Sequence, residues 1–111
     1  MNLTEKRCTA CEGGMPPLNE RQVERYHAET PEWTVVENLR ITRTFAFKDF
    51  AEAMQFVNKV AALAEEEGHH PDIAVSWNKV ALTLTTHALK GLSENDFILA
   101  AKINKLITNN G

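Results

Sequence analysis

Between residues 50 and 64 the apolar positions Phe50, Ala53, Met54, Val57, Val60, Ala61 and Ala64 recur at intervals of three and four, the period of an amphipathic helix. Asp49 followed by Glu52 forms a capping-box signature at its start, and Gly68 is placed to end it as a left-handed residue. Glu65, Glu66 and Glu67 then fill the last turn, facing the negative end of the helix dipole, where carboxylates are mildly unfavourable.

On both sides of this helix the period drops to two. Upstream, WTVVENLRITRTFAF is rich in β-branched and aromatic residues and reads as a hairpin turning at Glu37-Asn38. Leu39, Ile41, Phe45 and Phe47 alternate onto one face, and Arg43 interrupts them. Downstream, Ile73, Val75 and Trp77 alternate with Ala74 and Ser76. A turn at Asn78-Lys79 leads into VALTLTTH, with Val80, Leu82 and Leu84 on one face and Thr83, Thr85 and His87 on the other.

Two further helices complete the pattern. Asn19 with Gln22 caps one from Glu20 to about Ala28, which stops ahead of Pro31; Ser93 with Asp96 caps another carrying Phe97, Ala100, Ile103 and Ile107. Residues 1–18, broken by Gly13-Gly14 and Pro16-Pro17, read as an extended arm ahead of a domain spanning 19–111. The order helix, two strands, helix, two strands, helix predicts an α+β domain. Its four-stranded antiparallel sheet would be covered by three helices on one face, leaving the other face for substrate, solvent or another subunit.

Composition narrows the function classes. At 111 residues the chain has room for one core. The net charge of −3, with Lys and Arg scattered, supplies no basic stripe for nucleic acid. No apolar run approaches the roughly 18 residues of a membrane span, and MNLTEKRCTACEGG lacks a signal-peptide core. A cytoplasmic protein with reduced cysteines is the expectation. Cys8 and Cys11 form a lone Cys-x-x-Cys in a Gly- and Pro-rich lead-in, without the second pair a structural zinc site needs. It reads as part of a non-catalytic arm, with opportunistic metal binding or redox chemistry as the alternatives, and the site itself is expected to hold no metal.

The candidate chemistry lies in EEEGHHPDIAVSW and TTH. Folding the second hairpin brings the beginning of one strand near the end of the next, so His69, His70 and His87 converge on one edge of the sheet. Three readings follow. The histidines act as general acids and bases, with nearby carboxylates favouring the imidazolium; they bind a metal, although adjacent histidines on a strand point opposite ways; or they are ordinary surface residues.

The segment EEEGHHPDIAVSWNKVALTLTTHALKGLSENDF resembles the pterin-4a-carbinolamine dehydratase family. In that family's pattern an acidic or related residue precedes His-His-Pro, an aromatic follows after a short gap, and a further histidine and a later aspartate complete it. Glu65, His69, His70, Pro71, Trp77, His87 and Asp96 stand at the matching places. The likeness runs from about Leu18 to Leu106, and CEGGMPPL resembles the arm of bacterial members.

The resemblance implies the same α-β-β-α-β-β-α fold and dehydration of a 4a-hydroxytetrahydropterin to the quinonoid dihydropterin, with neither metal nor organic cofactor. This step recycles the pterin of aromatic amino acid hydroxylases. The resemblance also implies His69 and His87 as the acid/base pair, His70 as the residue holding the pterin, and Glu65 as orienting or charging a histidine. Pro71, Trp77, Thr85 and Thr86 join the implied pterin-binding set. Asp96 has two readings, a site residue or an ordinary first-turn helix acid. Animal members also serve as dimerisation cofactors of a transcription factor, so a protein-binding adaptor or assembly factor is the rival reading. A homodimer or homotetramer is expected from the uncovered sheet face.

Overall fold

A computed structural model of the chain describes residues 2–9 and 15–108. Three helices, α1 (Glu20–His27), α2 (Phe50–Glu67) and α3 (Glu94–Thr108), combine with four strands, β1 (Thr34–Val36), β2 (Arg40–Ala46), β3 (Asp72–Ser76) and β4 (Lys79–Leu84). The strands form one antiparallel sheet in the order β1-β2-β4-β3. The expected α+β architecture is therefore present, with β2 and β4 at its centre and β3 on an edge.

Local signals act where the sequence places them. Asn19 and Gln22 exchange both capping-box hydrogen bonds at 2.9 Å. Glu37 and Asn38 both take left-handed backbone, and the Leu39 N–H closes the turn on the Val36 carbonyl, the handedness that a twisted hairpin favours. Gly68 ends α2 at φ 68°, and its N–H donates to the Ala64 carbonyl.

Several boundaries differ from expectation, each for a physical reason. The second hairpin turns at Trp77-Asn78 instead of Asn78-Lys79. Lys79 stays in the ladder, paired with Ala46 and Ser76, while Asn78 exchanges main-chain and side-chain hydrogen bonds with Phe47. β4 stops at Leu84, because Thr86 bridges to Gly91 and leads the chain into a short loop. Leu39 lies in its turn, exposed, and the core face of β2 is instead Ile41, Arg43 and Phe45.

Arg43, on that inner face, finds two partners there. Its guanidinium donates to Asn104 Oδ1 at 2.6 Å and lies 4.5 Å from the centre of the Phe45 ring. The same Asn104 oxygen accepts the Trp33 indole N–H, so one α3 amide ties two strand-side residues to the helix layer.

In α2 the buried stripe is Ala53, Phe56, Val60, Ala64 and Glu67; Phe50 and Ala61 face solvent. The phase is rotated because the Phe56 ring packs, tilted, against Phe45 of β2 and against Phe47 just beyond it. α3 is buried almost all round at Phe97–Ala101 and Ile103, as a helix packed against α1, α2 and the arm must be. The arm is not wholly extended: Leu3–Glu5 makes a 3-10 turn, and Leu3 is buried in the common core. Cys11, Gly13 and Gly14 lie outside the described residues.

Candidate active site

Three segments meet at the C-terminal end of α2. Gly68 turns the chain out of the helix, and Pro71 holds His70 away from helical backbone before β3 begins. Opposite them, the Thr86–Gly91 loop closes on itself through two backbone hydrogen bonds, with a 3-10 turn at His87–Leu89. Buried Leu89 anchors that turn, and Pro17 packs so closely on Gly91 that a Cβ there would approach it to 2.8 Å. His87 is thus presented on a loop fixed from below.

The hollow between these segments measures about 290 Å³ and is lined by Thr9, Gly68, His69, His70, Thr85, Thr86, His87, Ala88 and Asn95. The expected convergence of the three histidines is present, although His87 sits in a turn instead of on a strand. A larger hollow of about 450 Å³, lined by Phe47, Glu52, Phe56, Lys59 and Ile107 among others, contains no histidine, cysteine or aspartate. Chemistry, not volume, selects the smaller one. The fourth histidine, His27, bonds the Trp33 carbonyl and does not line the site.

The histidines have unlike environments. His69 is only 13% exposed and donates through Nε2 to Asp96 Oδ1 at 2.6 Å; Asp96 is fully buried. The other oxygen of Asp96 accepts from the Thr86 hydroxyl at 2.8 Å and from the Ser93 N–H at 2.9 Å. One Asp96 oxygen thus caps α3, and the other bonds His69. Thr86 is held further by its hydroxyl contact with Ser93.

His70 pairs with Glu65 at 2.6 Å, with the two side chains 60% and 78% exposed. Glu65 therefore meets His70, while the more buried His69 takes its carboxylate from α3. His87 is exposed, and its imidazole has no hydrogen-bond partner among the described residues. Thr85 is turned to the Leu39 and Gly91 carbonyls, so its hydroxyl is engaged in the fold. Trp77, implied as a pterin-binding residue, lies in the turn at the far end of β3 from the histidines, 66% exposed, and does not line the hollow.

Two residues on the wall carried no usable signal in the sequence. Asn95 reads as an ordinary first-turn helix residue, and Thr9 belongs to an arm with no periodicity. Cys8, next to Thr9, is half-buried; burial and the neighbouring Glu67 charge push its thiol up to about 12, which leaves it protonated and a poor nucleophile near neutrality.

The profile of the Pterin 4 alpha carbinolamine dehydratase family matches residues 16–106. The chain belongs to this family. A Rubrobacter xylanophilus protein proposed to be a pterin-4-alpha-carbinolamine dehydratase is 46% identical over 104 residues, covering 94% of this chain and 97% of that one. An Alkaliphilus metalliredigens protein with the same proposed designation is 48% identical over 105 residues, covering 94% and 95%. Among solved structures, a transcriptional coactivator/pterin dehydratase from Brucella melitensis superposes with a TM-score of 0.76 at 35% identity, covering 81% of this chain and 97% of that chain. A pterin dehydratase-like protein identified as a RuBisCO assembly factor of the alpha-carboxysome gives 0.58 at 30% identity, covering 68% and 88%. The solved structures similar to this chain thus carry the designations of a transcriptional coactivator/pterin dehydratase and of a RuBisCO assembly factor.

Proposed function

We propose that the chain dehydrates a 4a-hydroxytetrahydropterin to the quinonoid dihydropterin plus water. The observation that carries this reading is a single hollow lined by three histidines, one of them locked by a buried aspartate. The reaction needs two proton transfers. A base removes a ring N–H proton, the freed electron pair forms the C=N bond to C4a, and the C4a–O bond breaks as an acid protonates the oxygen that leaves as water.

The tautomer of His69 suggests which residue does which. Because Nε2–H is donated to Asp96, a neutral His69 carries its lone pair on Nδ1, the form of a general base. His87, exposed and with no partner for its imidazole among the described residues, suits the acid. His70, paired with Glu65, suits a hydrogen bond to the bound pterin, with Thr86 and Pro71 shaping the wall and the approach. The reading requires no metal or organic cofactor. A cytoplasmic homodimer or homotetramer fits it, since edge strand β3 exposes Ile73 and Val75; no described helix is long and apolar enough to cross a membrane.

The same neighbours support an adaptor role on the same fold, and the histidines discriminate the two. His87→Ala and His70→Ala should each lower dehydratase turnover at least about tenfold, the low side of general acid/base contributions. Their melting temperatures should stay within a few degrees of the parent protein, because both side chains are exposed. Full activity in His87→Ala would leave the acid without a candidate and favour the adaptor.

A further inference from the structure

The segment ahead of the domain is built into the site. Buried Leu3 seats it in the core, and Lys6 bonds Glu94 at 2.7 Å. The Cys8 N–H donates to Glu67 at 2.9 Å, so the helix that delivers the histidine pair also holds the arm. One residue later the Asn95 amide engages both main-chain groups of Thr9: its Oδ1 accepts the Thr9 N–H at 3.0 Å and its Nδ2 donates to the Thr9 carbonyl at 2.6 Å. This two-point pairing matches a strand-like backbone contact made by a side chain. Asn95 is buried, and both residues line the histidine hollow.

The first turn of α3 therefore distributes three neighbouring side chains to three tasks. Glu94 receives Lys6 and the Tyr26 hydroxyl, Asn95 clamps Thr9, and Asp96 fixes His69. A wall residue fixed at both backbone groups keeps the hollow's dimensions.

We infer that Asn95 is a positioning residue for substrate: by clamping the Thr9 backbone it makes the N-terminal arm one wall of the pterin pocket. The inference rests on the dehydratase reading and adds a residue and a segment to it. Asn95 acts on binding, not on proton transfer, because neither its amide nor Thr9 supplies an acid or base. An aspartate at position 95 has the same shape and retains the acceptor for the Thr9 N–H, but places an oxygen against the Thr9 carbonyl and so opens the clamp.

The test compares the parent protein with Asn95→Asp and Asn95→Ala by steady-state dehydration kinetics, by quenching of the fluorescence of oxidised biopterin on binding, and by amide exchange over residues 2–9. Both variants should raise KM and the biopterin Kd about tenfold, the consequence of one lost hydrogen bond's worth of positioning. The change in kcat should be about twofold or less, and arm exchange should accelerate. Faster arm exchange with Kd and KM unchanged would overturn the inference while leaving the dehydratase reading intact. So would a fall in kcat alone, which would assign Asn95 to support of Asp96. A parent protein that neither bound biopterin nor turned over the carbinolamine would overturn the dehydratase reading, and this inference with it.

Discussion

Asp96→Asn is expected to lower kcat by about two orders of magnitude or more while the protein remains folded, by analogy with the loss of the correct histidine tautomer in catalytic triads. The buried carboxylate accepts three hydrogen bonds, from His69, Thr86 and the Ser93 N–H. An amide of the same shape can keep one oxygen for Thr86 and Ser93, but its NH₂ then faces His69 Nε2. To accept from that NH₂, the imidazole must move its proton to Nδ1, the nitrogen assigned to take the substrate proton. The base is lost without loss of the side chain. Replacing charge-assisted hydrogen bonds with neutral ones should also cost about 1.5–3 kcal/mol of stability, so kcat is measured well below the melting temperature, with near-ultraviolet circular dichroism as the control for fold. Activity within about threefold of the parent protein would show that Asp96 is a helix cap and nothing more.

The largest stability effect is expected at Glu67. Its carboxylate is almost wholly buried and bonds Lys102 at 2.7 Å while accepting the Cys8 N–H, joining α2, α3 and the arm. Glu67→Ala leaves the Lys102 ammonium, only 15% exposed, without this partner, and should cost about 3–5 kcal/mol, the range for breaking a buried pair.

Acid pH should act through the same group. Burial pushes the Glu67 carboxyl up, but the hydrogen bonds from Lys102 and the Cys8 N–H, with the positive charges of Lys102 and Arg7, outweigh it and hold the group below its ordinary range. The unfolded chain therefore takes up this proton at higher pH than the folded one. The stabilisation is complete above the unfolded pKa and disappears as pH falls through the folded value. Urea unfolding between neutrality and mild acid should show stability falling with pH in the parent protein and a flatter acid limb in Glu67→Gln. An unchanged limb would mean that Glu67 does not carry the acid sensitivity.

Glu67 also answers why three carboxylates crowd the unfavourable end of a helix. One of them, Glu67, is a buried tie to α3 and the arm, and Glu65 meets His70; Glu66 faces solvent. Neither role has a periodic signature, which is why residues adjacent in sequence looked equivalent.

What the sequence made legible was local chemistry with a fixed period or a fixed backbone requirement. The Asn19 cap, the Glu37-Asn38 turn and the Gly68 terminus depend on neighbours a few residues away, and all form as expected. The histidine cluster was legible because a hairpin brings His69 and His70 beside the chain leading to His87. What depended on tertiary contacts was not. The phase of α2 is set by Phe56 against β2, Arg43 is explained by an α3 amide, and the partner of His69 comes from a helix 27 residues away. Trp77 is the opposite case: its place in the motif is clear in the sequence, while within this chain the turn sets it apart from the histidines.

The most direct test of the proposed dehydratase is the disappearance of synthetic 4a-hydroxytetrahydropterin followed by stopped-flow absorbance, with the parent protein, with His69→Ala and with buffer alone. The parent protein should accelerate formation of the quinonoid dihydropterin over buffer by at least about 10², and His69→Ala should lose most of that acceleration. A parent protein no faster than buffer, or a His69→Ala variant as fast as the parent, would contradict histidine-catalysed dehydration at this site.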